Sequence, residues 1–145
     1  MEKIVTILKE KKNYLIIIMC LLVIIISGTT YFKYHYKNIN NEIAEKYIKA
    51  GIYLSKKNEN ESKKIFKEII ESKHHFYSAL ALNSIIENNL EEYENEIIRL
   101  YEIAEKAVKD KEQKNLIKFK KALYYLKISK AKEGNNLLNE IIKNE

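Results

Sequence analysis

The chain has 145 residues and a formal net charge of +6, with no proline, no tryptophan and three glycines. So little proline and glycine excludes the turn-rich pattern of β-hairpins and sandwiches and favours helices joined by short polar turns. Its lysines are interleaved with glutamates, and Arg99 is the sole arginine. Because nucleic-acid binding usually requires clustered basic residues, we expect no nucleic-acid partner.

Residues 13–32, NYLIIIMCLLVIIISGTTYF, carry no charge and directly follow Lys11-Lys12. Twenty helical residues reach about 30 Å, the thickness of the hydrocarbon core of a bilayer. Apolar residues on every face argue against a buried core helix. No A-x-A-like cleavage site follows Ile26, which argues against a signal peptide, although that alternative stays open. We predict that residues 13–32 are a permanent transmembrane helix in a lipid bilayer.

The flanking residues bear on orientation and domain boundaries. Under the positive-inside rule, the lysines favour a cytoplasmic N-terminal tail, residues 1–12. Four lysines precede the apolar segment and three follow it closely: Lys3, Lys9, Lys11 and Lys12, then Lys33, Lys37 and Lys46. Residues 33–145 are enough for one helical domain. Cys20 is the only cysteine, so no disulfide can form within the chain.

Apolar residues recur at spacings of three and four through residues 33–145 and predict six amphipathic helices. Three of them cover residues 41–56, 61–72 and 76–87, and the nearly uncharged third is expected at the centre of the domain. Capping boxes at Asn89–Glu92 and Asp110–Gln113 predict the start of two more helices. A short last helix is predicted around residues 137–142. The fifth helix is expected to bury Leu116, Phe119, Ala122-Leu123 and Leu126.

One apolar pattern repeats along the chain. Ile65-Phe66 with Ile69-Ile70 recurs 72 residues later as Leu137-Leu138 with Ile141-Ile142. Half of that interval is close to the period of about 34 residues that is typical of tetratricopeptide (TPR) arrays. We therefore predict an all-α fold, in which a single N-terminal transmembrane helix precedes a TPR-like array of α-hairpins.

The sequence offers no convincing catalytic or metal site. His74 and His75 are adjacent, and adjacent helical residues point about 100° apart, so we expect an exposed pair at a helix junction rather than a metal site. Carboxylates such as those in NNLEEYENE lie on solvated faces, and no glycine-rich phosphate loop or nucleophile motif is found. We expect no enzyme activity, no cofactor, no metal and no small-molecule substrate.

Tyrosine is the remaining functional signal, with eleven in the chain. Adjacent Tyr124 and Tyr125 cannot both face one core, so one of them should meet solvent, a groove or a partner. Tyrosine suits binding surfaces, although filling of the core is the alternative at each position. The first helix of each pair lines the concave side of a TPR array. On that basis, the predicted partner-binding residues are Tyr47, Tyr77, Asn83, Lys120, Tyr124 and Tyr125.

The layout resembles the YfgM-like family, ancillary subunits of the Sec translocon with a TPR-like domain. The resemblance lies in a basic start with one apolar helix, KEKKNYLIIIMCLLVIIISG, an aromatic exit, TTYFKYHYKN, and the helical segment IFKEIIESKHHFYSALALNSIIENN. The last segment is similar to the family's pattern at Phe66, Tyr77, Leu80, Ala81 and Asn83-Ser84. Members of the family usually carry a longer C-terminal part.

The resemblance implies a non-enzymatic protein of the bacterial inner membrane, with its C-terminal domain in the periplasm. Its implied partners are the SecYEG translocon and a PpiD-like membrane-anchored chaperone, and its implied role is to assist the hand-over of exported proteins to periplasmic chaperones. The alternative is a membrane-anchored helical scaffold of another envelope, division or membrane-protein complex.

Overall fold

A computed structural model describes residues 12–143, and within that range it contains six α-helices and no strand. The predicted all-α class is confirmed. Most of the predicted tail, residues 1–11, and the last two residues lie outside the described range. The chain divides into two compact units between Asn41 and Glu42. The helices are α1 Lys12–Ser55, α2 Glu59–Glu71, α3 Tyr77–Glu87, α4 Glu94–Ala107, α5 Lys111–Lys127 and α6 Ala131–Lys143.

The first unit contains the apolar part of α1. This helix is near the N-terminus and is long and apolar enough to span a membrane, and none of its most apolar window is buried. Thr29 and Thr30 both donate hydroxyl hydrogen bonds to the carbonyl of Ile26, at 2.9 and 2.7 Å. The two hydroxyls are therefore satisfied inside the helix, as an apolar surrounding would require.

The second unit consists of three helical hairpins with the same type of turn. The hairpins are the last turns of α1 with α2, α3 with α4, and α5 with α6. Each first helix is followed by a residue in the left-handed region: Lys57 (φ 59°), Asn89 (φ 51°) and Ser129 (φ 62°). The next N–H then donates to a carbonyl five residues earlier, which is the Schellman arrangement. These bonds are Asn58 to Tyr53, Leu90 to Ile85 and Lys130 to Tyr125, each 2.9 Å.

The first and last hairpins correspond residue by residue at an interval of 72. In the first, buried Ser62 donates a hydroxyl hydrogen bond of 2.9 Å to the carbonyl of Ala50. In the last, Gly134 and Ala122 take the same places, and a Cβ added to Gly134 would lie 3.0 Å from the Ala122 carbonyl oxygen. A small residue at this point lets the two helices of a hairpin approach closely.

The hairpins form two layers. In the first layer, the Tyr47 hydroxyl of α1 lies 3.1 Å from the Ser84 hydroxyl of α3, and Lys120 Nζ of α5 donates to Asn83 Oδ1 of α3 at 2.9 Å. In the second layer, α2 contacts α4. Its ion pairs are Lys67 with Glu96 (3.0 Å) and Arg99 with Glu71 (2.8 Å).

The core lies between the layers, and α3 is at its centre as predicted, because α3 packs against both α2 and α4. The largest of the almost fully buried apolar side chains come from α2, α3 and α4: Phe66, Ile69, Ile70, Leu82, Ile85 and Leu100. Fully buried Ser78 at the start of α3 donates to the carbonyls of Ile69 and Ile70, at 3.2 and 3.3 Å.

Two predicted helix starts have different outcomes. The capping box at Asn89 is wrong: Asn89 adopts the left-handed turn after α3, and α4 begins later, at Glu94. Instead, the Glu91 carboxylate accepts the N–H groups of Glu92 and Tyr93 at 3.0 and 3.1 Å. The predicted cap at Asp110 is confirmed, because its carboxylate accepts the Gln113 N–H at 2.9 Å.

The predicted buried face of α5 is mostly wrong. Ala122 is fully buried as expected, and Ile117 and Lys121 are buried beside it. The other four expected core residues are exposed by 38–54%: Leu116, Phe119, Leu123 and Leu126. The buried side of α5 is formed by Ile117, Lys121 and Ala122, and roughly half of the surface of this apolar stripe stays open to solvent. The last helix also begins earlier than predicted, at Ala131.

Candidate partner-binding groove

A groove runs between α3 and α5, with Tyr101 of α4 as its floor. It comprises two adjoining cavities of about 210 and 280 Å³, and both are lined by Asn83, Tyr101 and Lys120. The first cavity also includes Phe76, Leu80, Gln113 and Leu116, and the second includes Ile86, Glu87, Leu123, Tyr124 and Lys127. The groove therefore lies along the layer formed by the first helices of the hairpins.

The hydrogen bond between Lys120 and Asn83 crosses the groove and separates the two cavities. Other lysines of α5 pair with carboxylates: Lys118 with Glu140 and Lys121 with Glu102. Lys120 and Lys127 form no such ion pair with the residues the structure describes. The groove thus presents two ammonium groups that a carboxylate of a bound segment could reach.

The floor and walls of the groove are largely apolar. Tyr101 is buried, and its ring centroid lies 6.0 Å from that of Tyr124. Burial, with a smaller contribution from Tyr124, raises the pKa of Tyr101 to about 12, so its hydroxyl stays neutral at physiological pH. Three large apolar side chains on the walls are about half exposed: Phe76 (52%), Leu116 (54%) and Leu123 (47%). This surface can accept apolar side chains from a partner.

The structure brings three of the six predicted partner-binding residues together. Asn83, Lys120 and Tyr124 line the groove. Tyr47 and Tyr77 are half-buried against each other instead, with ring centroids 5.8 Å apart. Tyr125 is half-buried on another side of α5, with Lys121 Nζ 5.9 Å from its ring centroid.

The histidine pair has a structural role at the start of α3. His74 is buried, and its Nδ1 accepts the N–H groups of Phe76 and Tyr77 at 3.3 and 3.2 Å. Burial, followed by the charge of His75, lowers the pKa of His74. The expectation of an exposed pair is wrong for His74 and confirmed for His75. Within residues 12–143, no three His, Cys, Asp or Glu side chains are grouped to hold a metal ion.

A network of ion pairs joins α2, α4 and the loop before α4. Glu91 is buried, and its carboxylate pairs with Lys67 while accepting the loop N–H groups. Hydrogen bonds from Arg99 and Lys67 outweigh burial and lower the pKa of Glu96 to about 2. The charges in this network compensate one another, so it stabilises the packing of α2 on α4.

No family model, curated protein or solved structure matches this chain.

The case for the groove therefore rests on its geometry. The residues that sequence reasoning missed are its apolar walls and floor: Phe76, Tyr101, Leu116 and Leu123. A usable signal was present, because Leu116 and Leu123 are seven residues apart and share one face of α5. From the sequence alone this periodicity predicts a core face, because it identifies an apolar stripe but not the element that covers it.

Proposed function

We propose that this chain is a single-pass membrane-anchored adaptor, whose helical domain binds a segment of another protein in the groove between α3 and α5. The observation that carries the proposal is the groove itself: apolar walls around Tyr101, with Lys120 between the two cavities and Lys127 in the lining of the second. A helical or extended segment that places apolar side chains in the two cavities and a carboxylate near Lys120 satisfies this surface.

Support for the anchor comes from the apolar part of α1, which is long enough to cross a bilayer. An anchor confines the adaptor to the membrane and so raises its effective concentration near other membrane proteins. The three hairpins with matching turns support a TPR-like array, in which the first helices line a shared binding face.

The partners that the family resemblance implies are the SecYEG translocon and a PpiD-like chaperone, with the helical domain in the periplasm of a bacterial inner membrane. The alternative is another membrane complex that the same groove serves as a scaffold. Both are binding functions without catalysis, and the identity of the protein captured by the groove separates them.

Cross-linking from the groove tests the proposal. A photoreactive amino acid replaces Tyr124 in the intact chain, and cells are irradiated before the cross-linked products are identified by mass spectrometry. The expected result is a distinct protein partner, and Lys120→Glu should weaken its capture. The matched control places the same photoreactive residue at Tyr53, a half-buried tyrosine of α1 outside the groove. Equal products from both positions would contradict the proposal.

A further inference from the structure

A second apolar surface lies at the end of the array, away from the groove. It is formed by α5 and α6 and includes Phe119 (44% exposed), Leu126 (38%) and Ile142 (69%). Neither Phe119 nor Ile142 lines the groove cavities. Leu137, Leu138 and Ile141 of α6 are only partly buried beside them. We call this surface the terminal face.

The internal correspondence of the hairpins shows what normally covers such a face. Counting back 72 residues, Phe119, Leu126 and Ile142 correspond to Tyr47, Leu54 and Ile70 of the first hairpin. There, α3 packs over this surface: the Tyr77 ring lies 5.8 Å from the Tyr47 ring at an angle of 44°, Ser84 hydrogen-bonds to the Tyr47 hydroxyl, and Ile70 is fully buried. The terminal face is therefore the surface on which an α3-like helix packs, without that helix among the described residues.

The chemistry of a helix that would cover the terminal face follows from α3. Tyr77–Glu87 reads YSALALNSIIE and has one charged residue, at its end. It presents small and aliphatic side chains, and Ser78 donates to the carbonyls of Ile69 and Ile70. The corresponding carbonyls of the last hairpin belong to Ile141 and Ile142. Because neither the α3-like helix nor the terminal face would place a charge in the contact, no charged group would lose its hydration on binding.

We propose that the terminal face docks a short amphipathic helix of another protein, with an uncharged face of small and aliphatic residues and about three turns, packed as α3 packs on the first hairpin. A second copy of this chain fits less well. The α3 helix of a second copy is already packed against its own α2 and α4 and is not free to cover this face. A bilayer surface also fits less well, because the corresponding surface of the first hairpin packs against one helix, α3, rather than against a flat layer.

A binding experiment with the intact chain in lipid nanodiscs tests the proposal. The probe is a fluorescently labelled peptide of residues 76–89, FYSALALNSIIENN, with a polar tail for solubility, and the control peptide has the same composition in scrambled order. We expect saturable binding of the first peptide only. Phe119→Asp and Ile142→Asp should each weaken it at least about tenfold, the effect of placing a charge within a docked apolar surface.

The matched control is Ile48→Asp, because Ile48 is 62% exposed on α1 and lies outside the terminal face. Affinity should be unchanged in this variant. Equal binding of the scrambled peptide, or equal loss in Ile48→Asp, overturns the proposal. Because the groove is not involved, this result is independent of the proposed function.

A photoreactive amino acid at Phe119 in cells supplies the second test. The expected product is a cross-link to a different protein, and its cross-linked segment should be an amphipathic helix with an uncharged face. A product of twice the mass of this chain would assign the face to a second copy, and cross-links to lipid alone would assign it to the membrane surface. Either of these results overturns the proposal.

Discussion

The first and last hairpins share one local design but differ in burial. Their turns match at an interval of 72 residues, down to the left-handed Lys57 and Ser129. Yet Phe66 of α2 is 2% exposed, whereas its counterpart Leu138 in α6 is only partly buried. The difference arises because α3 and α4 both pack on α2, and the described helix that packs on α6 is α5. Local sequence specifies a hairpin, and its neighbours decide which faces stay available for binding.

The largest expected contrast is between paired core truncations. Phe66→Ala should lower the free energy of unfolding by about 3–5 kcal/mol, the usual cost of emptying a buried aromatic site. Leu138→Ala should cost less than about half as much, because its site is already partly hydrated. Urea unfolding of the chain in detergent micelles, followed by circular dichroism, measures both. Equal losses would show that the two hairpins are equally buried.

The second contrast concerns the close contact inside each hairpin. Gly134→Val should lower the free energy of unfolding by about 1–3 kcal/mol, since the added atoms would overlap Leu126 and the Ala122 carbonyl. Ser62→Ala should cost about 1 kcal/mol, because only the hydrogen bond to Ala50 is lost. The same unfolding measurement applies. A neutral Gly134→Val would mean that the last hairpin is more open than the first.

A smaller effect tests whether the turns are equivalent. Lys57→Gly and Ser129→Gly should each raise the free energy of unfolding by about 0.5–1 kcal/mol, because glycine removes the cost of a left-handed side-chain residue. Thermal unfolding of the two variants gives the comparison. The gains should agree within a few tenths of a kcal/mol, and a gain at one site with a loss at the other would refute the equivalence.

The smallest effect is a pH dependence of the free energy of unfolding. It arises from His74, which lies at the junction between α2 and α3. The folded-state pKa of His74 is lowered, so the unfolded chain binds the proton more readily. Stability from His74 is fully present above its unfolded pKa of about 6.5 and is lost as the pH falls below that value. Unfolding between pH 7.5 and 5.5 should show this loss. His74→Asn, which keeps a capping acceptor but does not titrate, should reduce it, and an unchanged slope would contradict the assignment.

Much of the fold was predictable, because it depends on short-range chemistry. The apolar spacing of α2 and α3 and the Asp110 cap each act within one or two turns. The wrong predictions concern residues whose type suits two local structures, or residues whose burial depends on which helix packs against them. Asn89 suits both an N-cap and a left-handed turn, and here it occupies the turn after α3.

The candidate site was predictable only in part for a related reason. Asn83 and Lys120 are predicted because they lie on first helices of hairpins, and the structure joins them by a hydrogen bond across the groove. The same reasoning predicts Tyr47, but Phe66 of α2 and Tyr77 of α3 pack against its ring. Position on a helix gives the face of a residue, while its exposure depends on packing between hairpins far apart in sequence.

The most direct test of the central claim is photo-cross-linking from the groove in living cells, with Tyr124 as the labelled position and Tyr53 as its control. The proposal predicts a specific protein cross-linked from Tyr124 and absent from Tyr53, with reduced yield in Lys120→Glu. A groove that yields no protein product, or the same products as the control, would contradict the assignment of this chain as an adaptor.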